Sequence, residues 1–287
     1  MIKKEDIYAY YSSEEFKPVL PERVGFRHFR FKTGEGKWTK VKTRVESTDD
    51  LIKWIIKLGG CDLYYSTSQW LNPQRLSAKS GTPGTYHIAD NLLINNDLVF
   101  DIDGPEPITI KSLELARKSA NNIYQVMRGK KDYEFEYFAF TGHKGFRLVY
   151  KDKNLGLPEN PLQRLNFIEK KRKVFIDKLL KEIKDRASDK QIYKIETILD
   201  KKITTNSLCV VRIIGSVHSA TGFISVKLPI KLMRKPIQEI LNYVPHIGKR
   251  RPVIPKREMK KGGVESSPRP RLLPLAKDVS GLASLPH

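Results

Sequence analysis

The alternation of apolar and polar positions changes period several times along the chain. Arg27-His28-Phe29-Arg30-Phe31 alternates as a half-buried strand does, and Gly34-Glu35-Gly36 reads as a hairpin turn. Asp49 to Leu58 switches to helical spacing, with Leu51, Trp54, Ile55 and Leu58 on one face and Gly59-Gly60 as the stop. A short strand at Leu63–Ser66 and a polar loop to about Asn91 follow. Asp97 to Asp103 is the clearest strand, ended by Pro105 and Pro107. Ser112 to Met127 predicts a helix with Leu113, Ala116, Ala120, Ile123 and Met127 on its apolar face.

Phe135–Phe140 and Phe146–Tyr150 flank Thr141-Gly142-His143-Lys144-Gly145 as a hairpin. Residues 161–186 predict a charged helix with Leu165, Ile168, Phe175, Ile176, Leu179 and Ile183 inward. Val210–Ile214 and Phe223–Leu228 predict strands around Gly215-Ser216-Val217-His218. The sum is an α/β fold: a curved mixed sheet with flanking helices and a cleft between two subdomains. The expected boundaries are a core over 1–245, with a helical insertion at about 151–195, and a basic, Pro-rich, disordered tail over 246–287.

Composition narrows the partners. A net charge of +21, from 53 Lys and Arg against 32 Asp and Glu, favours a polyanion, either nucleic acid or an anionic membrane surface. No long basic amphipathic helix with a clean apolar face stands out, and no segment reaches membrane-spanning length. The expectation is therefore a cytoplasmic protein with no membrane partner. Cys61 and Cys209 are the only cysteines, with no zinc-knuckle spacing, so no zinc is expected.

Alternate strand residues share a face, so Leu98, Phe100 and Ile102 point one way and Val99, Asp101 and Asp103 the other. Two carboxylates side by side at a strand end repel unless a cation lies between them. Hard oxygen donors suit Mg²⁺ or Mn²⁺, although two acids on a strand running into solvent is the competing reading. The motif alone leaves both open.

Three blocks in order resemble the small, catalytic subunit of archaeal and eukaryotic primases, within the archaeo-eukaryotic primase superfamily. They are Asp97–Asp103, Phe140–Arg147, and Asp200 through Arg212 to Gly215–Gly222. The first is similar to the family's metal-binding strand, the second to its Ser-Gly-Arg-Arg-Gly-x-His hairpin. The third is similar to its last metal carboxylate followed by a Ser-x-His-x-Lys-Thr-Gly turn. A weaker likeness reaches Tyr10-Tyr11, Arg27–Phe31 and Tyr65-Ser66, so the resemblance spans roughly residues 8–230.

What the resemblance implies is a DNA-dependent nucleotidyltransferase that makes primers on single-stranded DNA. Two Mg²⁺ or Mn²⁺ ions would be held by Asp101, Asp103 and Asp200. Thr141, His143, Lys144, Arg147, Arg212, Ser216 and His218 would hold the nucleoside triphosphate. The implied partners are the template and a large primase subunit.

Blander roles compete: a solvated basic turn for the hairpin, a structural His218, a loop acid at Asp200, an inward Arg212 bonded to a carboxylate. The chain departs from the pattern with His143-Lys144 for paired Arg, Arg147 for His, and Ala220 for Lys. These departures keep open a non-catalytic accessory subunit, and a repair, plasmid or viral primase-polymerase is a further alternative.

Overall fold

The computed structural model describes residues 2–33, 36–76, 91–186, 195–248 and 254–256, and all of these belong to one compact unit. The α/β character is as expected, but the sheet is divided in two and every ladder is antiparallel. The first sheet has the order β2-β1-β3-β4, with β8 also paired to β3. Its strands are β1 (Arg27–Thr33), β2 (Trp38–Lys40), β3 (Gly60–Trp70), β4 (Leu93–Asn96) and β8 (Val210–Arg212). The second has the order β5-β7-β6-β9, from β5 (Leu98–Asp103), β6 (Tyr133–Phe140), β7 (Gly145–Asp152) and β9 (Val226–Leu228).

Helices α1 (Lys4–Tyr11), α2 (Thr48–Leu58), α3 (Ile110–Met127) and α4 (Arg164–Arg186) precede the short turns α5 (Ile195–Ile198) and α6 (Lys201–Thr205), with α7 (Ile237–Tyr243) last. Two starts are chemically marked. Ser47 accepts from the Asp50 amide at α2, and Thr109 with Ser112 forms a reciprocal capping box at α3. The apolar stripes read from the sequence become the core. Leu113, Ala116, Ala120, Ile123 and Met127 of α3 and Ile176, Leu179 and Ile183 of α4 pack with Leu98, Phe100 and Ile102 of β5.

The opposite face of β5 and β7 supplies Val99 and Val149 to a second cluster with Phe29, Phe31, Leu63 and Tyr65. Asp101 and Asp103 lie on that same face of β5, so the site forms where the second sheet meets the first. A Tyr65–Tyr137 hydroxyl contact of 2.9 Å and an Arg147 Nη1 bond to the Arg212 carbonyl at 2.9 Å join the two sheets.

Two strands differ from expectation. β3 runs well past Ser66 because Thr67, Ser68 and Gln69 are buried within a polar network; Ser68 Oγ donates to the Ser207 carbonyl at 2.6 Å. The expected strand at 223–228 is regular only in β9, since Phe223 and Ile224 form isolated bridges to His246 and Val217. Of the expected tail, residues 246–248 and 254–256 are described. The Ile247 amide bonds the Gly222 carbonyl, and the Ile110 amide bonds the Pro255 carbonyl at 2.8 Å. The rest of the tail, and the loop segment 77–90, lie outside the described residues.

Candidate active site

Cross-strand register explains the first contact. Asp101 stands opposite Arg147, and Asp103 opposite Gly145. Arg147 Nε therefore reaches Asp101 Oδ1 at 3.1 Å, and its side chain is only 4% exposed. Lys144, on the turn between β6 and β7, reaches Asp103 Oδ2 at 3.0 Å with 42% of its side chain exposed. A side chain at position 145 would collide with the Ile102 carbonyl and with Asp103, so glycine is required for the two strand ends to close.

Burial, then the charge of Asp101, pushes the Asp103 carboxyl up to about 6 against the pull of Lys144 and Arg147. Asp200 is brought next to Asp101 by the main chain: its amide bonds the Asp101 carbonyl at 2.9 Å, and Leu199 bridges Ile102. Its carboxylate, however, caps α6 by accepting from the Lys202 and Ile203 amides. Among the described residues no three His, Cys, Asp or Glu side chains are grouped to hold a metal ion. The Asp101–Asp103 pair has the donor chemistry for a hard divalent cation, and a third ligand requires Asp200 to turn off its helix cap.

The hairpin and the 215–222 turn are locked to each other. Thr221 Oγ1 donates to the Gly142 carbonyl at 2.7 Å, and Ser225 Oγ to the Phe140 carbonyl at 3.1 Å. Gly142 has φ +93°, and a Cβ there would press on His218 and the Phe223 carbonyl. This close approach stacks His143 on His218 with ring centroids 4.6 Å apart. Burial, then the Arg212 charge and, where it is protonated, the neighbouring His143, holds His218 down to about 3; burial also lowers His143, with Lys144 and Arg212 adding and Glu106 opposing. Both rings are thus neutral near pH 7, and the buried His218 Nδ1 has no hydrogen-bond partner among the described residues.

Three expected nucleotide contacts are spent inside the fold. Thr141 Oγ1 donates to the Gly145 carbonyl, and Ser216 Oγ accepts from the Leu63 amide. Arg212 bonds Asp62 at 2.9 Å, the Val217 carbonyl at 3.0 Å and the Tyr64 hydroxyl at 2.7 Å. This is the inward, carboxylate-bonded arginine of the competing reading. His143, Lys144 and His218 remain partly open, and Arg147 is buried behind Asp101.

Asp62 and Tyr64 were not read as site residues from the sequence. Asp62 also accepts from the Ser219 amide at 2.8 Å and so fixes the His218 turn. The available signal was strand alternation, which puts both on one face of β3, and Tyr64 pairs in register with Arg212.

No family model matches the chain. It is similar to the DNA primase small subunit PriS of Pyrobaculum aerophilum, at 24% identity over 252 residues, 77% of this chain and 76% of the relative. The PriS of Pyrobaculum islandicum is similar at 23% identity with the same shares. Among solved structures, the polymerase domain from Mycobacterium tuberculosis ligase D in complex with DNA has the same fold. Its TM-score is 0.52 at 12% identity, with 84% of this chain and 88% of that chain covered. The architecture is therefore of the primase-polymerase type, and distant sequence similarity points to primase small subunits. No helix among the described residues is long and apolar enough to cross a membrane.

Proposed function

We propose that the protein is a metal-dependent, template-directed nucleotidyltransferase that makes primers on single-stranded DNA. One observation carries the reading: Asp101 and Asp103 end β5 against a hairpin whose Lys144 and His143 are locked to the His218 turn. Asp101 and Asp103, with Asp200 once its side chain rotates, would hold the Mg²⁺ or Mn²⁺ ions. When bound, the ions supply charge to the attacking and leaving oxygens of an in-line displacement.

The protein's own part is positioning and charge. Lys144 meets a phosphate as a point charge, the partly open rings of His143 and His218 hold its oxygens, and Arg147 keeps Asp101 aimed. Arg212 acts one step back by fixing the turn through Asp62. The excess of Lys and Arg would follow the template backbone. A large primase subunit is the partner suggested by the similarity to small subunits.

The test is primer extension and de novo synthesis on single-stranded DNA with Mg²⁺ or Mn²⁺. Asp101→Ala/Asp103→Ala is expected to cut incorporation by about a hundredfold or more. Incorporation by the double variant at the wild-type rate would sink the assignment.

A second reading rests on the ion pairs themselves. With Arg147 on Asp101, Lys144 on Asp103 and Asp200 spent on its helix cap, all three acids already have partners in the fold, as a non-catalytic accessory subunit would tolerate. Absence of metal-dependent triphosphate binding would favour it.

A further inference from the structure

Trp38 is 50% exposed on β2, the edge strand of the first sheet, where a large aromatic side chain loses its hydrophobic gain unless something covers it. Its underside is not free. The indole lies on Tyr64 with ring centroids 4.8 Å apart, and the Arg212 guanidinium lies over that same Tyr64 ring at 4.9 Å. Arg212 in turn holds the Val217 carbonyl beside His218. Tyr64 stands opposite Arg212 in the ladder, and the Arg212 carbonyl is held by Arg147, which is itself bonded to Asp101. Trp38, its indole tilted 52° to the Tyr64 ring, is therefore the outer member of a chain of contacts that leads from the candidate active site, and half of the indole is left to solvent.

Its surroundings are cationic. Lys32 is its cross-strand partner, and the Lys32 charge bears on His218. Lys37 precedes it in sequence, whereas Lys40, further along the strand, is turned to the Gln74 and Leu76 carbonyls. A flat π-face flanked by spaced cations matches the alternation of base and phosphate in a single strand.

We infer that Trp38 is a stacking platform for a nucleobase of the single-stranded template at the rim of the site. This deepens the nucleotidyltransferase reading by naming the residue that receives the template, and it rests on that reading. Tyr64 and Arg212 hold the platform at a set distance from the carboxylates. Stacking of this kind is indifferent to which base is presented, because every base has a π-face.

The experiment is titration of the full chain with an oligo(dT) strand, read by intrinsic tryptophan fluorescence and by anisotropy of a labelled strand, over a range of salt. The chain has three tryptophans. Trp70 is buried and Trp54 is tied to Thr43, so Trp54→Phe is the control. Wild type and Trp54→Phe are expected to show quenching, and Trp38→Phe to lose most of it. Trp38→Ala should bind the strand about five- to tenfold more weakly with an unchanged salt slope, because the lost contact carries no charge. Trp38→Phe should retain an intermediate affinity, as a smaller ring still stacks.

Equal affinity of Trp38→Ala and wild type, or quenching that survives in Trp38→Phe, overturns the platform while leaving template reading intact. A loss of affinity with a shallower salt slope would overturn it in favour of simple charge. Quenching by a nucleoside triphosphate but not by oligo(dT) would move the platform off the template. No strand binding by wild type at all would overturn the template-directed reading and the platform with it.

Discussion

The two ends of β5 carry the same chemistry and treat it differently. Just before the strand, Asp97 is paired to Arg27 at 2.8 Å, and Arg27 also donates to the Glu22, Ser66 and Thr67 carbonyls. That guanidinium is 1% exposed and every direction around it is filled. At the far end Asp101 lies under an equally buried arginine, Arg147, and it is Asp103 that differs: its side chain is 26% exposed and its Lys144 partner 42% exposed. A carboxylate sealed under a saturated arginine can only hold sheets together. One capped by a partly exposed lysine, as Asp103 is, can exchange its partner for another cation.

Three changes sharpen that contrast. Asp97→Ala strands the buried Arg27 charge and should cost on the order of 3–5 kcal/mol of stability, measured by urea unfolding; a loss below about 1 kcal/mol would erase the distinction. His28 offers a pH handle on the same sealed end. Burial first, then Arg30, lowers it to about 4, and Arg30 Nε donates to its Nε2 while Nδ1 faces the Pro73 carbonyl.

Its folded value lies below the unfolded one, so the unfolded state binds the extra proton. The stability it supports is complete above about pH 6.5 and falls as pH drops toward 4. The loss is on the order of 3 kcal/mol, and His28→Gln should flatten the slope. The depressed His218 adds in the same direction. Asp103→Asn should have the smallest effect on folding: it removes like-charge repulsion with Asp101, leaving stability unchanged or slightly raised, while incorporation falls. A large destabilisation would make Asp103 another Asp97.

The open end was far more legible in the sequence than the sealed one. Alternation at Leu98–Asp103 placed both acids on one face, and the glycines around His143-Lys144 marked the turn that meets them. The long stripes of α3 and α4 carried the core, because buried helix faces repeat at steps that no loop imitates. What sequence could not convey was the polar half of β3. Ser66, Thr67 and Ser68 are buried with their polar groups satisfied because Arg27, Asn96 and Ser207 bring them partners from far along the chain. Asp62 was hidden for the same reason, its partners Arg212 and Ser219 lying about 150 residues away. Engagement of Thr141, Ser216 and Arg212 by the fold was equally invisible, since a motif gives residue types and not where their hydrogen bonds go.

Tyr10 donates to the Gly215 carbonyl at 2.9 Å and the Tyr11 hydroxyl accepts from the Val217 amide at 3.1 Å, contacts spanning 205 and 206 residues. During synthesis α1 leaves the ribosome long before its partner exists. At about 5–20 residues per second, the interval is on the order of ten to forty seconds. Through that time Tyr10, Tyr11 and Phe16 have one another and the early-made members of their cluster, such as Phe29 and Leu51, but not Ile213, Val217 or Ile224. The His218 turn is thus built from both ends of the core, so a nascent chain stays without its His143–His218 ring contact until nearly all of the core has been made.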